Sequence, residues 1–184
     1  DCCYVRMTFD IDNCKCPVSV RDILYAILFK GENALLYLGL SENRPLVYSY
    51  DSTLEQYRNV SCIKFQYQVK QSNMLASVQE VVRILNDIKI GQFPFESNMQ
   101  KWQLILDDAF ELNWCMAYEN HILAEEPICF DTEKLGRYER LTKEQIMACA
   151  KDIFVTPNLV VAVKGKKKDI PLPELREICT ALDR

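Results

Sequence analysis

The fold is decided by residues 61–90, which read SCIKFQYQVKQSNMLASVQEVVRILNDIKI. The first part of this stretch alternates between apolar and polar side chains, a pattern typical of a strand with one buried face. From residue 72 the apolar period changes to that of a helix with one buried stripe. The stripe comprises Met74, Leu75, Val78, Val81, Val82, Leu85 and Ile88. The stretch therefore predicts a strand followed by a helix that ends at Gly91.

The chain before this stretch adds two strands and two helices. Residues 4–11 alternate in hydrophobicity and predict a half-buried strand. Ser19 and Asp22 resemble a capped helix start, and residues 32–42 predict a shorter, leucine-rich helix. Residues 46–57 form a β-favouring run, which we expect to pair antiparallel with the strand described above.

The chain after Gly91 predicts three further helices and one strand. A helical pattern covers about residues 99–123, and Thr142 with Gln145 has the spacing of a capping box before the next helix. Residues 158–165 predict a strand, and a last helix starts at about Pro173. The predicted element order is therefore β-α-α-β-β-α-α-α-β-α.

Strands and helices come in blocks rather than in strict alternation. This order predicts an α+β fold, with a largely antiparallel sheet and helices packed on one of its faces. The length of 184 residues fits a single domain over residues 1–184, since single cores typically contain ~100 to 200 residues. Because the first residues already have a strand pattern, we expect the chain to be a piece of a longer polypeptide.

Charge and hydropathy exclude two classes of partner. The net charge is −4 and the pI is near 5.2, whereas nucleic-acid binding requires a clustered positive field. No segment approaches the ~20 apolar residues that a membrane-spanning helix needs. The sequence therefore predicts neither nucleic acid nor a membrane as a partner.

The nine cysteines indicate thiols rather than a complete disulfide framework, because an odd number cannot pair fully within the chain. Cys62, Cys115, Cys149 and Cys179 each lie in an apolar pattern, as buried thiols commonly do. Reduced thiols, and with them a cytoplasmic location, are the prediction.

The remaining clustered cysteines do not have the usual spacing of a zinc site. Cys2 and Cys3 are adjacent, and Cys14 and Cys16 form a CxC pair, whereas a tetrahedral zinc knuckle uses CxxC. No metal site is predicted from them.

His121 is the only histidine of the chain, which limits the catalytic chemistry it can carry. An HxxEH zinc site needs two imidazoles on one helix, so this chain cannot supply one. A thiol hydrolase would require His121 to meet Cys115 or Cys129. Because Cys115 is six residues earlier and lies on another part of a helical surface, a surface role for His121 is favoured.

Three stretches in a fixed order resemble one known family. They read LLYLGLSENRPLVYSYDS (35–52), ASVQEVVRILNDIKIGQFPFESNMQKWQLILDD (76–108) and LTKEQIMACAKDIFVTPNLVVAVKG (141–165). Together they are similar to segments of the pitrilysin and insulinase type (M16) zinc peptidase superfamily, which includes the mitochondrial processing peptidases. The matching positions of the first stretch are Leu40, Glu42, Arg44, Leu46, Tyr48 and Ser49.

The resemblance implies the C-terminal, non-zinc-binding type of domain of that family. In such proteins only an N-terminal domain holds zinc, so no cofactor is expected in this chain and zinc is expected in a separate catalytic domain. A sister domain, of the same or a partner chain, is the implied partner, and the two would enclose a peptide. The excised chain is then expected to expose an apolar face and to form homo-oligomers.

The resemblance also implies two substrate-binding residues. Tyr48 falls on a tyrosine that reaches toward bound peptide and the zinc site, and Arg44 falls on a second, commonly basic position. The family's arginine, seven residues before the tyrosine, falls on Ser41, and Pro45 replaces a glycine. Because a hydroxyl cannot replace a cation, Ser41 counts against a role in stabilising the transition state. For Tyr48 the alternative is a tyrosine that only packs on the sheet.

Three hypotheses about function follow. The first is a non-catalytic domain that helps to form the peptide-binding chamber of a zinc peptidase, with no activity of its own. The second is a degenerate scaffold or assembly subunit without a peptidase role, which Ser41 favours. The third is a self-contained thiol enzyme using His121. Under the first two hypotheses the isolated chain binds no zinc and hydrolyses no peptide.

Overall fold

A computed structural model describes residues 2–57, 60–97, 99, 136, 138, 140–166 and 170–183. Most of the helix predicted over residues 99–123 lies outside this part of the chain, as do His121, Cys115 and Cys129.

In the part of the chain that the structure describes, four strands form one antiparallel sheet. They are β1 (Cys2–Asp10), β2 (Val47–Tyr57), β3 (Val60–Lys70) and β4 (Leu159–Lys164), in the spatial order β2-β3-β1-β4. In the register, Met7 of β1 pairs with Phe65 of β3 on one side and with Val161 of β4 on the other. The predicted pairing of the second and third strands is confirmed.

Helices occupy the segments between and after the strands. Those with both ends among the described residues are α1 (Val18–Phe29), α2 (Leu35–Tyr37, which continues as a π-helix over Leu38–Glu42), α3 (Met74–Lys89), α4 (Lys143–Ile153) and α5 (Leu172–Thr180). Single 3₁₀ turns cover Gln71–Asn73, Thr156–Asn158 and Ala181–Asp183. Within the described residues, every helix is too short or too polar to cross a membrane.

One face of the sheet is buried beneath the helices. Alternate residues of β1 from Cys3 to Phe9 are inaccessible to solvent, while the residues between them are exposed or half-buried. The stripe predicted on α3 is buried as well, with Leu75 only partly covered. Burial of these apolar side chains, each contributing about 1.5 to 3 kcal/mol, holds the two layers together. The predicted α+β fold with helices on one face is confirmed.

Aromatic side chains fill the centre of the core around Phe65. Its ring centroid is 5.4 Å from that of Phe29 on α1, 5.8 Å from Tyr50 and 5.2 Å from Tyr67. Such ring pairs contribute about 0.5 to 1.5 kcal/mol beyond their buried area. This cluster holds the end of α1 against the middle of β3.

The helix cap predicted at Thr142 is confirmed, and the one predicted at Ser19 is wrong. Thr142 Oγ1 accepts a hydrogen bond from the Gln145 amide at 3.3 Å, and the Thr142 amide donates to Gln145 Oε1 at 2.9 Å. Ser19 is no cap, because α1 already begins at Val18 after Pro17. Pro17 has φ −57°, and its carbonyl accepts from the Val20 amide at 3.0 Å. The ring of proline presets this helix start, so a side-chain cap is not required.

Candidate functional site

The connection from α2 to β2 contains both predicted substrate-binding residues and begins with an irregular helical turn. The Asn43 amide donates to the Leu38 carbonyl at 2.8 Å, an i to i−5 bond that defines the π-helix over Leu38–Glu42. The sequence predicted an ordinary helix here. π turns are rare and are frequent at functional sites, because the extra residue redirects the chain. After Pro45, the Leu46 amide donates back to the Leu40 carbonyl at 2.9 Å and starts the strand.

Gly39 allows this turn to lie directly against α3. A Cβ atom built on Gly39 would be 2.5 Å from Ile84 Cδ1 and 3.3 Å from Glu80 Oε1. Any larger residue would therefore overlap with the side chains of α3. The close approach brings the Glu80 carboxylate beside the connection.

Glu80 is a buried carboxylate that two arginines neutralise. Its side chain is only 5% exposed, yet the sequence placed it outside the apolar stripe. Arg83, one turn later, donates from Nη2 to Glu80 Oε1 at 2.5 Å and from Nε to Oε2 at 3.1 Å. The hydrogen bonds from Arg83 lower the pKa of Glu80, against the opposing effect of burial, and Arg44 adds a smaller favourable charge. Glu80 is therefore ionised at neutral pH.

Arg44 is held in place by this carboxylate. Its Nη1 atom lies 3.3 Å from Glu80 Oε2, while the side chain remains 66% exposed. A guanidinium has five N–H donors, so one contact with Glu80 leaves donors that can bind a carbonyl or carboxylate. The arrangement presents a positioned cation at the entry to β2.

Tyr48 is the extra residue of a β-bulge at the start of β2. Val47 pairs with Val69 and Ser49 pairs with Gln68, so Tyr48 has no partner residue on β3. Its side chain is 66% exposed. Bulges redirect side chains and are common beside binding sites. The alternative that Tyr48 packs on the sheet is not favoured by this exposure.

The sheet face away from the helices is covered with polar side chains. Arg6 donates from Nη2 to Gln66 Oε1 at 2.6 Å, and Gln66 Nε2 lies 3.3 Å from Asp51 Oδ2. Lys64 Nζ lies 2.5 Å from Glu55 Oε2. These pairs connect three strands across an otherwise open surface. Among the described strands β2 lies at the edge of the sheet, so Tyr48 lies where the open face meets an edge that no described strand pairs with.

Ser41 lies inside the π-helix and is half-buried. The structure thus places a short hydroxyl at the position where the resemblance expects an arginine. Arg44 and Tyr48 remain in one connection, the former bound to α3 and the latter projecting from β2.

The cysteines differ from the prediction in one respect. Cys62 and Cys179 are buried thiols as expected, but Cys16 and Cys149 form a disulfide whose Cα atoms are 5.5 Å apart. The prediction that Cys149 is a free thiol is therefore wrong. The two residues are 133 positions apart, and only the packing of α4 beside the residue 11–17 loop brings them together.

One group within the described residues has the ligand atoms to hold a metal ion. The sulfur atoms of Cys14, Cys16 and Cys149 all lie within 4.8 Å of one another, and those of Cys14 and Cys16 are 2.8 Å apart. Burial raises the pKa of the Cys14 thiol to about 11. From the sequence only the CxC pair was visible, so the third sulfur was missed.

Comparisons with known proteins identify the fold. No family model and no curated protein matches the chain. Solved structures do match the fold of this chain, with TM-scores of 0.70 to 0.74 for three of them. The inactive domain of a peptidase M16 protein from Pseudomonas fluorescens gives a TM-score of 0.74 at 14% identity, covering 88% of this chain and 40% of that chain.

Two further structures agree. One is the inactive peptidase domain of a protein from Bordetella parapertussis that is described as a zinc protease. Its TM-score is 0.70 at 13% identity, and the match covers 90% of this chain and 93% of that chain. A chain of complex III from Candida albicans gives a TM-score of 0.72 at 10% identity, and the match covers 96% of this chain and 46% of that chain. The chain thus has the fold of the inactive M16 peptidase domain, as the resemblance implied, and spans less than half of two of these chains.

Proposed function

We propose that this chain is the non-catalytic domain of an M16-type zinc metallopeptidase-like protein and that it forms one wall of a peptide-binding chamber. The edge of β2 and the connection before it would face the peptide. A sister domain, in the same or a partner chain, would carry the zinc site. The observation that carries this proposal is the exposed Tyr48 at a bulge beside the positioned Arg44, in a chain with this fold.

The geometry suits a peptide ligand. An exposed strand edge offers unpaired N–H and C=O groups to which an extended peptide can add as another strand. Tyr48 has a large, rigid ring with a polar tip, which suits contacts with peptide side chains and carbonyls. Arg44 can donate to a peptide carbonyl or carboxylate while Glu80 fixes its position.

A separate zinc-bearing domain is required by this proposal. The chain has one histidine, so an imidazole-based zinc site needs ligands from elsewhere. The isolated chain is then expected to hydrolyse no peptide. Separated from its sister domain it should also self-associate, which sedimentation at increasing concentration would show as a rising mass.

The second candidate is a scaffold or assembly subunit without a peptidase role. Ser41 in place of a cation favours it. So does the fold shared with a chain of complex III, a multisubunit assembly. Under this hypothesis Tyr48 and Arg44 are surface residues with no ligand.

The experiment compares the full-length parent protein with this chain alone. Metal content and hydrolysis of a fluorogenic peptide library are measured for the wild type, Tyr48→Ala, Tyr48→Phe and Arg44→Ala. Tyr4→Ala is the matched control, since Tyr4 is also an exposed strand tyrosine but lies on the central strand β1.

A chamber wall predicts that the parent hydrolyses peptide and holds zinc through imidazole ligands, while this chain alone hydrolyses no peptide. Tyr48→Ala should then lower kcat/KM roughly 5- to 30-fold, equivalent to about 1 to 2 kcal/mol of lost contact, with Tyr4→Ala unchanged. A parent without zinc and without hydrolysis would overturn the proposal and leave the scaffold. Equal effects of Tyr48→Ala and Tyr4→Ala would reject Tyr48 as a specific peptide contact.

A further inference from the structure

We propose that Cys14, Cys16 and Cys149, when reduced, form a binding site for one soft divalent cation, with Zn²⁺ as the expected occupant. The site lies between the loop of residues 11–17 and helix α4, and its thiolate ligands give it a chemistry distinct from an imidazole peptidase centre. It is a structural site in this proposal, and it does not depend on whether the chain faces a peptide.

Three sulfur atoms converge at this point. They lie within 4.8 Å of one another, and the Cys14 and Cys16 sulfurs are 2.8 Å apart. A disulfide uses two sulfurs, and the structure joins Cys16 to Cys149. Cys14 is a third thiol in direct contact with that pair. A set of three thiolates is one ligand more than a disulfide requires, and thiolates are ligands that zinc binds readily.

The ligands come from two elements that the fold already fixes. Cys149 is buried on α4, while Cys14 and Cys16 are half-buried on the loop. Cys149 supplies the buried ligand, and the half-buried loop leaves a path by which the ion and water can enter from solvent. Zinc prefers four ligands, so a water molecule from that side can complete the tetrahedron.

Asp152 positions the loop over the helix. It follows Cys149 by one helical turn, and its Oδ2 atom accepts a hydrogen bond from the Lys15 amide at 2.9 Å. The Cys14 amide also donates to the Ile11 carbonyl at 3.1 Å. These bonds orient the segment that carries both loop cysteines, as outer partners of metal sites commonly do.

A nearby cation suits an anionic cluster. Three thiolates around one divalent cation carry a net charge of −1. The carboxylate of Asp152 and, with opposite sign, the guanidinium of Arg21 both act electrostatically on Cys14. Arg21 Nε is buried and finds no hydrogen-bond partner among the residues that the structure describes. A buried N–H group without a partner is costly. A metal-bound thiolate would offer Arg21 both a charged acceptor and charge balance.

The metal and the disulfide are alternatives for the same sulfurs. A dithiol such as dithiothreitol breaks the Cys16–Cys149 bond, giving two thiols while the reagent becomes a cyclic disulfide. Zn²⁺ then displaces the three thiol protons into solvent. The CxC spacing alone led us to expect no zinc in this chain. The third sulfur supplied by α4 changes that expectation.

The test titrates Co²⁺ into the full chain after anaerobic reduction and removal of the reductant, followed by competition with Zn²⁺. Thiolate-to-cobalt charge-transfer absorption reports sulfur ligation directly. Cys14→Ser is the principal variant, because Cys14 is half-buried and outside the disulfide, so the fold should be kept. Cys149→Ser is the second. Controls are Cys62→Ser, a buried thiol on β3, and Cys115→Ser with Cys129→Ser, which lie outside the described residues.

The expected result is one ion per chain in the reduced protein and none in the oxidised one. Cys14→Ser and Cys149→Ser should each weaken binding by at least about 10-fold, since loss of an outer partner alone costs that much. The controls should bind like the wild type. A reduced chain without a one-to-one complex would overturn the proposal. So would affinity unchanged by Cys14→Ser, or lost instead with Cys115 or Cys129.

Discussion

Arg44 Nη1 and Glu80 Oε2 form a salt bridge of 3.3 Å that ties the connection before β2 to helix α3. The cation is largely exposed and the carboxylate is buried, so the helix determines where the arginine points. The proposed substrate-binding residue is therefore part of a structural network that includes Arg83. Changes in this network should affect stability and the position of Arg44 together.

Replacing Glu80 with glutamine should destabilise the fold by about 1 to 3 kcal/mol at neutral pH. The glutamine amide has the same shape as the carboxylate. It lacks the negative charge that strengthens the hydrogen bonds from Arg83 and Arg44. Urea unfolding measures the difference. Glu177→Gln, at an exposed position of α5, is the matched control and should change stability by less than about 0.5 kcal/mol.

The effect of Glu80→Gln should depend on pH in a defined direction. The pKa of Glu80 is lowered in the folded state from its ordinary value of 4.5, mainly by the hydrogen bonds from Arg83. The unfolded chain thus takes up this proton first as pH falls. The stabilisation is complete above the unfolded pKa and is lost as pH falls through the folded pKa. A wild-type advantage that stays constant between about pH 7 and pH 3 would contradict this assignment.

Gly39→Ala should destabilise the chain by about 1 to 3 kcal/mol through overlap with Ile84 Cδ1. The matched partner is Ile84→Val, which removes that Cδ1 atom and alone costs about 0.5 to 1.5 kcal/mol. The double variant should be more stable than the sum of the two single effects predicts. Strict additivity in urea unfolding would mean that the two side chains do not meet.

Thr142→Ala should cost about 1 kcal/mol, because it removes the hydrogen bond that Thr142 Oγ1 accepts from the Gln145 amide, while the bond from the Thr142 amide to Gln145 Oε1 can remain. Ser19→Ala is the matched control. Ser19 has the sequence signature of a cap but lies inside α1, so its replacement by a good helix former should be neutral or slightly stabilising. Thermal unfolding of both variants distinguishes the two positions, and equal losses would refute the capping assignment.

Tyr67 and Ser77 are both buried, and one hydrogen bond between their hydroxyl groups should contribute to the free energy of unfolding. Ser77 Oγ lies 3.1 Å from the Tyr67 hydroxyl and 2.7 Å from the Met74 carbonyl. Burial raises the pKa of Tyr67. Tyr67→Phe should therefore cost about 1 kcal/mol, and a double-mutant cycle with Ser77→Ala should show coupling of similar size. A coupling energy near zero would mean that each hydroxyl is satisfied elsewhere.

Features that depend on near neighbours in the chain could be predicted from the sequence. The alternation of residues 61–70 and the stripe of α3 determine which side chains face the core, because strand and helix periods are properties of the local backbone. The Thr142 cap is local for the same reason. The α1 start was mispredicted because Pro17 and Ser19 both indicate a helix start, and the proline lies earlier.

The positions of the functional side chains were decided by contacts between distant segments. Tyr48 could be named from the sequence, but the bulge that exposes it arises from the pairing of β2 with β3. The burial of Glu80 beside Arg44 depends on how closely α2 approaches α3 at Gly39.

The sequence by itself determined the α+β class, the antiparallel pairing of the second and third strands and the lack of an HxxEH motif, because periodicity and residue counts suffice for these. Only the tertiary structure brought Cys149 to Cys14 and Cys16 across 133 residues and joined Arg44 to Glu80. The energies of such contacts depend on distances of a few ångströms between segments, which no local pattern of residues encodes.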